Sequence, residues 1–449
     1  VTIQASNQVT MNEGIESKKD LSVSRLVTQG TIYPTPAITI GDILIAEGKI
    51  SMFGTNVTGK NPNAYFSARS FEIVAADTVD IQQRFVGGDE LQVTANKDVQ
   101  LGSLQGISGS TVLTSAEGNV SFSSFLGTTL EATANKNVTA TDIITAYGNV
   151  TLNGACVSTQ SITANWLKLT SNDTSDKKDI TISGDLTASG ELESAGGITI
   201  TGKVEGTGNL LAHAQGTIAI GGPISGGTVT LVGGNSFTVD SFTSGELVAR
   251  SGNELTINSF TGTSLDAAAV GTLTLIDGTA STDAPVTVAL SSGKHVIIGK
   301  TEDGVANNLT GNFDVTYTGD TNGVGFEVDV YGWVHGDFKA TALTGGVNVG
   351  LISGNATVEA QQICLSALSG GNLVFHASDN VELEGNVTVK DLLRIDEKEE
   401  NGVRTRADIT IDSSLATGAD GTIELYGKNI TGKAANQTIT TDFLYLQAD

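Results

Sequence analysis

Apolar and polar residues alternate in short bursts along this chain, and the bursts recur. Between Asp179 and Leu275 the triplets Ile180-Thr181-Ile182, Ile198-Thr199-Ile200, Ile218-Ala219-Ile220, Phe237-Thr238-Val239, Leu255-Thr256-Ile257 and Leu273-Thr274-Leu275 start 18, 20, 19, 18 and 18 positions apart. Two further tracks keep step: Val204, Ile224, Phe242 and Phe260, then Leu210, Val229, Leu247 and Leu265. Alternation with period two is the strand signature, and the Gly, Ser, Asn and Asp between bursts mark turns. Three strand beats recurring about every 19 residues predict an all-β fold, a single-stranded parallel β-helix with 18–21 residues per coil. It is expected to be right-handed.

The physical reason is phase. Equivalent beats of successive coils stack in register about 4.8 Å apart, so Ile198 and Ile200 point into an aliphatic column while Thr199 points out. One coil cannot bury its own inner face, so stability comes from stacking many. Glycines at the corners (Gly184, Gly202, Gly221, Gly222, Gly233, Gly234 and Gly252) are expected to supply positive φ.

Along the chain, residues 1–65 have irregular beats broken by Pro34 and Pro36 and suggest a capping region. Regular coils follow over 66–300; Leu91 to Val99 returns as Leu130 to Val138, 39 positions on, with a copy between. Residues 301–345 break the rhythm with longer beats, Phe313 to Tyr317 and Phe326 to His335. Coils resume over 346–449, interrupted by the charged stretch Asp396 to Asp408, which suggests a solvated loop. The beats open directly at Val1, as in a mature or trimmed chain, and close on Leu444-Tyr445-Leu446 with no visible cap, which invites end-to-end stacking.

Composition changes the picture in three ways. With 24 basic against 49 acidic residues the net charge is −25, which excludes nucleic acid as an expected partner. No run of 18 apolar residues exists, so no membrane-spanning helix is expected. The two cysteines, Cys156 and Cys364, lie in strand-like settings many coils apart and suit small buried residues or outward thiols, not a bridge.

The sharpest candidate chemistry is Phe326-Glu327-Val328-Asp329-Val330-Tyr331-Gly332-Trp333-Val334-His335. On one continuous strand, Glu327, Asp329, Tyr331, Trp333 and His335 would share a face at about 6.6 Å intervals. Paired carboxylates beside aromatics suit a sugar-binding or glycosidic site; the plainer reading is a polar face packed under a loop. The acidic turns Asp277 to Asp283, Asp303-Gly304 and Asp320 to Gly323 offer oxygen ligands for Ca²⁺, but match no Ca²⁺-loop pattern and are also ordinary turn chemistry. His213, His295, His335 and His376 have no metal-ligand spacing, and no metal site is expected. Ten Asn-x-Ser/Thr triplets, among them those at Asn119, Asn355 and Asn429, are glycosylation acceptors only in a cell with that machinery. No nucleophile elbow, phosphate-binding loop or paired Asp-Asp stretch is present, so no catalytic residue is assigned.

The coils at 91–152 and 179–275, such as Gly148-Asn149-Val150-Thr151-Leu152-Asn153-Gly154 and Gly197-Ile198-Thr199-Ile200-Thr201-Gly202, resemble the filamentous haemagglutinin-like and related adhesin β-helices of bacterial surface proteins. Asn61-Pro62-Asn63-Ala64 is similar to the Asn-Pro-Asn-Gly motif of that family's secretion domain and departs from it at the last position. The resemblance implies a secreted or cell-surface rod that displays loops, adheres or assembles. The expected function is therefore an extracellular structural or adhesive shaft, not an enzyme, whose partners are glycans, surface proteins or further copies of itself. The alternative is a polysaccharide-binding or polysaccharide-degrading protein using the 326–335 face.

Overall fold

The computed structural model describes every residue except 26, 29–30, 33–34, 173–178, 279–286, 301–305, 320–325, 367, 401–402 and 434. Among the described residues there is no helix, and so none that could cross a membrane. The strands stack in parallel into a β-solenoid of about 20 turns. The chain forms two compact units, Val1–Gly222 and Pro223–Asp449. The sequence boundaries at 65, 300 and 345 fall inside them.

In the first unit three columns of side chains fill the interior, one per face of the turn. One runs in register through Val9, Ile38, Val57, Val79, Val99, Val120, Val138, Val157, Ile180, Ile198 and Ile218. The second contains Leu21, Ile50, Phe71, Leu91, Thr111, Leu130, Val150 and Leu167. The third contains Leu44, Phe66, Phe85, Leu104, Phe125, Ile144, Ile162, Leu186 and Val204. All but Val9 are at most 2% exposed, and each such aliphatic side chain contributes about 1.5–3 kcal/mol by leaving water. Phe85 packs edge-on against both Phe66 and Phe71, centroids 5.2 and 5.3 Å away. This is a favoured ring geometry.

The described strands before residue 65 also stack in parallel. Thr2–Ala5, Gln8–Met11 and Ile15–Ser17 pair in parallel with Leu21–Arg25, Ala37–Ile40 and Leu44–Gly54. Their irregular spacing comes from an insertion after Arg25 that carries an antiparallel pair, Val27–Thr28 with Thr31–Ile32.

In the second unit Phe237, Leu255, Leu273, Val296, Val328, Val347, Ile363, Val381, Ile409 and Ile430 continue in one file. Phe242 and Phe260 stack face to face, 5.5 Å apart and 6° from parallel. Two turns are enlarged. Val296 and Val328 are register partners 32 positions apart, and Val381 and Ile409 are partners 28 apart. The longer beats at 313–335 are thus ordinary rungs, Asn312–Tyr317 on Thr287–Ser292 and Phe326–Val330 on His295–Ile298, separated by long connections.

The corner glycines act differently from expectation. None of the seven named above lies at positive φ. At Gly202, Gly221, Gly222 and Gly252 the need is close approach to the backbone of a neighbouring turn instead. A Cβ on Gly202 would sit 2.6 Å from the Gly184 carbonyl, and one on Gly221 2.9 Å from that of Thr201. Positive φ occurs elsewhere, as at Gly190 (130°).

Asn and Asp knit the corners by accepting the backbone N–H of the next turn. Asp98 accepts from Asn119 at 2.8 Å and Asn119 from Asn137 at 3.2 Å. Asp337 accepts from Asn355 at 2.7 Å and Asn355 from Asn372 at 2.9 Å. These side chains pair backbone groups that the bend frees from strand ladders. At the glycosylation triplets Asn119, Asn355 and Asn429, the side-chain amide already donates to Asp98, Asp337 and Asp408.

Candidate functional site

The strand Phe326–Val330 lies between His295–Ile298 and Gly346–Asn348 on one face of the turn. The chain then bends at Tyr331-Gly332, where any side chain on Gly332 would collide with the Asn307 carbonyl. Trp333–His335 belongs to a separate parallel sheet with Leu309–Thr310 and Leu351–Ile352. The alternation of Glu327, Asp329, Tyr331, Trp333 and His335 is therefore broken by a corner, and the five do not share one face.

The carboxylate half of the candidate is buried and engaged. Glu327 is 7% exposed, and its Oε2 accepts the Gly346 N–H at 2.6 Å. Asp329 is 9% exposed and lies 2.9 Å from His295 Nε2 through its Oδ2. His295 was one of four scattered histidines in the sequence; the register partner of its neighbour Val296 is Val328, which puts it beside Asp329. Asp329, Asn348, Cys364 and Glu382 then follow one another in an outward column. Cys364 is nonetheless buried, 5% exposed. That burial, reinforced by Glu384 and then Glu382 and Asp329, pushes its thiol up to about 12. Of the two expected settings for this thiol, the outward one holds, under cover.

The aromatic half is open. Tyr331 is 40% exposed and Trp333 36%, and the Trp333 and His335 rings lie 4.4 Å apart, tilted by 31°. Lys300 Nζ sits 4.3 Å over the Tyr331 ring, a cation–π contact the sequence did not reveal because 31 positions separate the two. The result is a strip with two aromatic faces, an imidazole and an ammonium, and no unoccupied carboxylate from the predicted pair.

Of the three proposed Ca²⁺ turns, Asp303-Gly304 and Asp320 to Gly323 lie outside the described residues, as does Asp277 to Asp283 beyond Gly278. Among the described residues no group of three or more His, Cys, Asp or Glu is placed to hold a metal ion.

Fold and site together define a parallel β-solenoid with an aromatic strip at one corner. No protein-family model, curated protein or solved structure matches the chain.

Proposed function

We propose that the chain is a structural and adhesive element working outside the cell, a shaft of the kind used by surface adhesins and fibres. The observation that carries this reading is the stack itself. Turn after turn is held by aliphatic columns and corner hydrogen bonds, while Thr, Ser and Asn recur at the outward positions among acidic residues. Such a stack transmits force and displays surface, and it needs no cofactor. Its partners are surface molecules or further copies of the chain. Electron microscopy of the purified protein over a range of concentrations tests it: rods that lengthen or associate support the reading, and compact particles at every concentration oppose it.

A second reading is favoured by Tyr331, Trp333 and Lys300. Exposed aromatic faces beside hydrogen-bonding groups suit the apolar faces and hydroxyls of a sugar. It is a binding reading that rests on the open aromatic side chains, while Glu327 and Asp329 are buried against Gly346 and His295. Glycan-array binding that is lost in Tyr331→Ala with Trp333→Ala supports it. Binding unchanged in that variant removes it.

A further inference from the structure

A second group of ionisable side chains gathers elsewhere in the Pro223–Asp449 unit. Val387–Glu400 is longer than a rung needs. It stays paired with the preceding turn through Glu397, and from Lys398 it forms an antiparallel pair with Val403–Thr405. The charged stretch expected to be a solvated loop is thus a built wall. Arg404 pairs with Glu397 at 2.7 Å and Arg406 with the same carboxylate at 3.5 Å. Lys398, only 2% exposed, donates to the Leu343 carbonyl at 3.4 Å.

Between this wall and the outer face is a cleft of about 430 Å³, within the usual range for small-ligand sites. Glu359, His376 and Asp396 are successive members of one outward column, so they line it about 4.8 Å apart. Asp396 is held by Arg394 at 2.8 Å and by the Glu397 N–H, also 2.8 Å. Glu359 is half-buried and has no ion pair or side-chain hydrogen bond among the described residues. His376 has a single long contact, 3.4 Å from Nδ1 to the Glu397 carbonyl. Some outward charges elsewhere neutralise each other across neighbouring turns, as Lys49–Glu72, Lys97–Asp77 and Lys339–Asp314 do. Glu359 and His376 stand in adjacent turns with their polar ends committed to nothing comparable.

We propose that this cleft binds a neutral oligosaccharide, with Glu359 and His376 contacting its hydroxyls and the fixed Arg394–Asp396 pair orienting it. The chemistry of the lining selects that class. The guanidiniums of Arg394 and Arg404 already rest on carboxylates, so an anion would have to displace them. The lining is charged rather than apolar, which disfavours a hydrocarbon ligand. Donors and acceptors alternate with little net charge, and hydroxyl groups satisfy both kinds. The proposal is independent of the Tyr331–Trp333 strip, which lies on other rungs.

The test is an array of neutral and uronate-bearing oligosaccharides, followed by calorimetric titration with the oligosaccharide retained. The variants are Glu359→Gln, His376→Gln and Tyr331→Ala with Trp333→Ala, each checked for an unchanged melting temperature. Retention of a neutral oligosaccharide is expected, weakened about ten- to hundredfold by Glu359→Gln or His376→Gln, as for loss of a hydrogen bond to a charged or polar anchor. The aromatic double variant should leave it unchanged. Retention of uronates alone, retention of nothing, or a loss confined to the aromatic variant would each overturn the proposal.

Discussion

Thr111 is a polar residue in a place the stack reserves for aliphatic ones. It lies between Leu91 and Leu130 in a column of Leu, Ile, Phe and Val, it is 0% exposed, and its hydroxyl has no hydrogen-bond partner. A buried hydroxyl without a partner costs about 1–3 kcal/mol. Thr111→Val exchanges it for a methyl of nearly the same size, so the neighbours need not move. Stabilisation of about 1–3 kcal/mol is expected, corresponding to about 5- to 150-fold in an opening equilibrium. Because each turn contacts only its neighbours, global melting blurs local effects. Hydrogen exchange read by mass spectrometry on peptides covering 91–95, 111–115 and 130–134 resolves them. Slower exchange there, with distant turns unchanged, is the expected result. Thr111→Ala, which also removes the methyl, should gain less or lose. Faster exchange in Thr111→Val would show that the hydroxyl is satisfied and that this reading of the column is wrong.

Three further outcomes follow from single sites. Gln83 is fully buried, with its amide 3.2 Å from the Ile40 carbonyl and its tip against Gly59; Gly59→Ala should destabilise by about 1–3 kcal/mol in denaturant melts, and adding Gln83→Ala should recover part of that loss. The Asn119 backbone N–H, and next its side-chain amide, hold the Asp98 carboxyl below its ordinary value. The stability this adds is present above the unfolded carboxylate value near pH 4 and is lost as pH falls through the lower folded value; the melting-temperature gap between wild type and Asp98→Ala should hold at neutral pH and close in acid. With its thiol pushed up to about 12, Cys364 should resist iodoacetamide at pH 9 in the folded protein and react on unfolding, as peptide mass spectrometry would record.

The rungs were readable because Ile-Thr-Ile and its relatives carry both the period-two alternation and the coil period in the same residues. The corner glycines are legible in the sequence, but their cause at Gly202, Gly221, Gly222 and Gly252 is not: a neighbouring turn approaches too closely for a Cβ, a contact no single turn displays. The site was half readable. Alternation through Phe326–His335 suggests one face, yet Gly332 fits where only a glycine clears the Asn307 carbonyl, and the chain turns there. The engagement of Asp329 depends on His295, brought near by a turn of 32 positions that no short pattern reveals. The column Glu359, His376, Asp396 was within reach, since its steps of 17 and 20 positions lie close to the coil period. Apolar periodicity does not pick it out, because its members face outward.

Register is the claim on which everything rests, and cross-linking reads it directly. In a chain with Cys156→Ala and Cys364→Ala, Thr181→Cys and Thr199→Cys would replace outward register partners in adjacent turns, at a spacing a disulfide tolerates. Thr139→Cys with Thr199→Cys would place thiols three turns apart. Mild oxidation should link the first pair nearly completely and leave the second open; a second pair that links as readily, or a first that does not, would contradict the stacked solenoid.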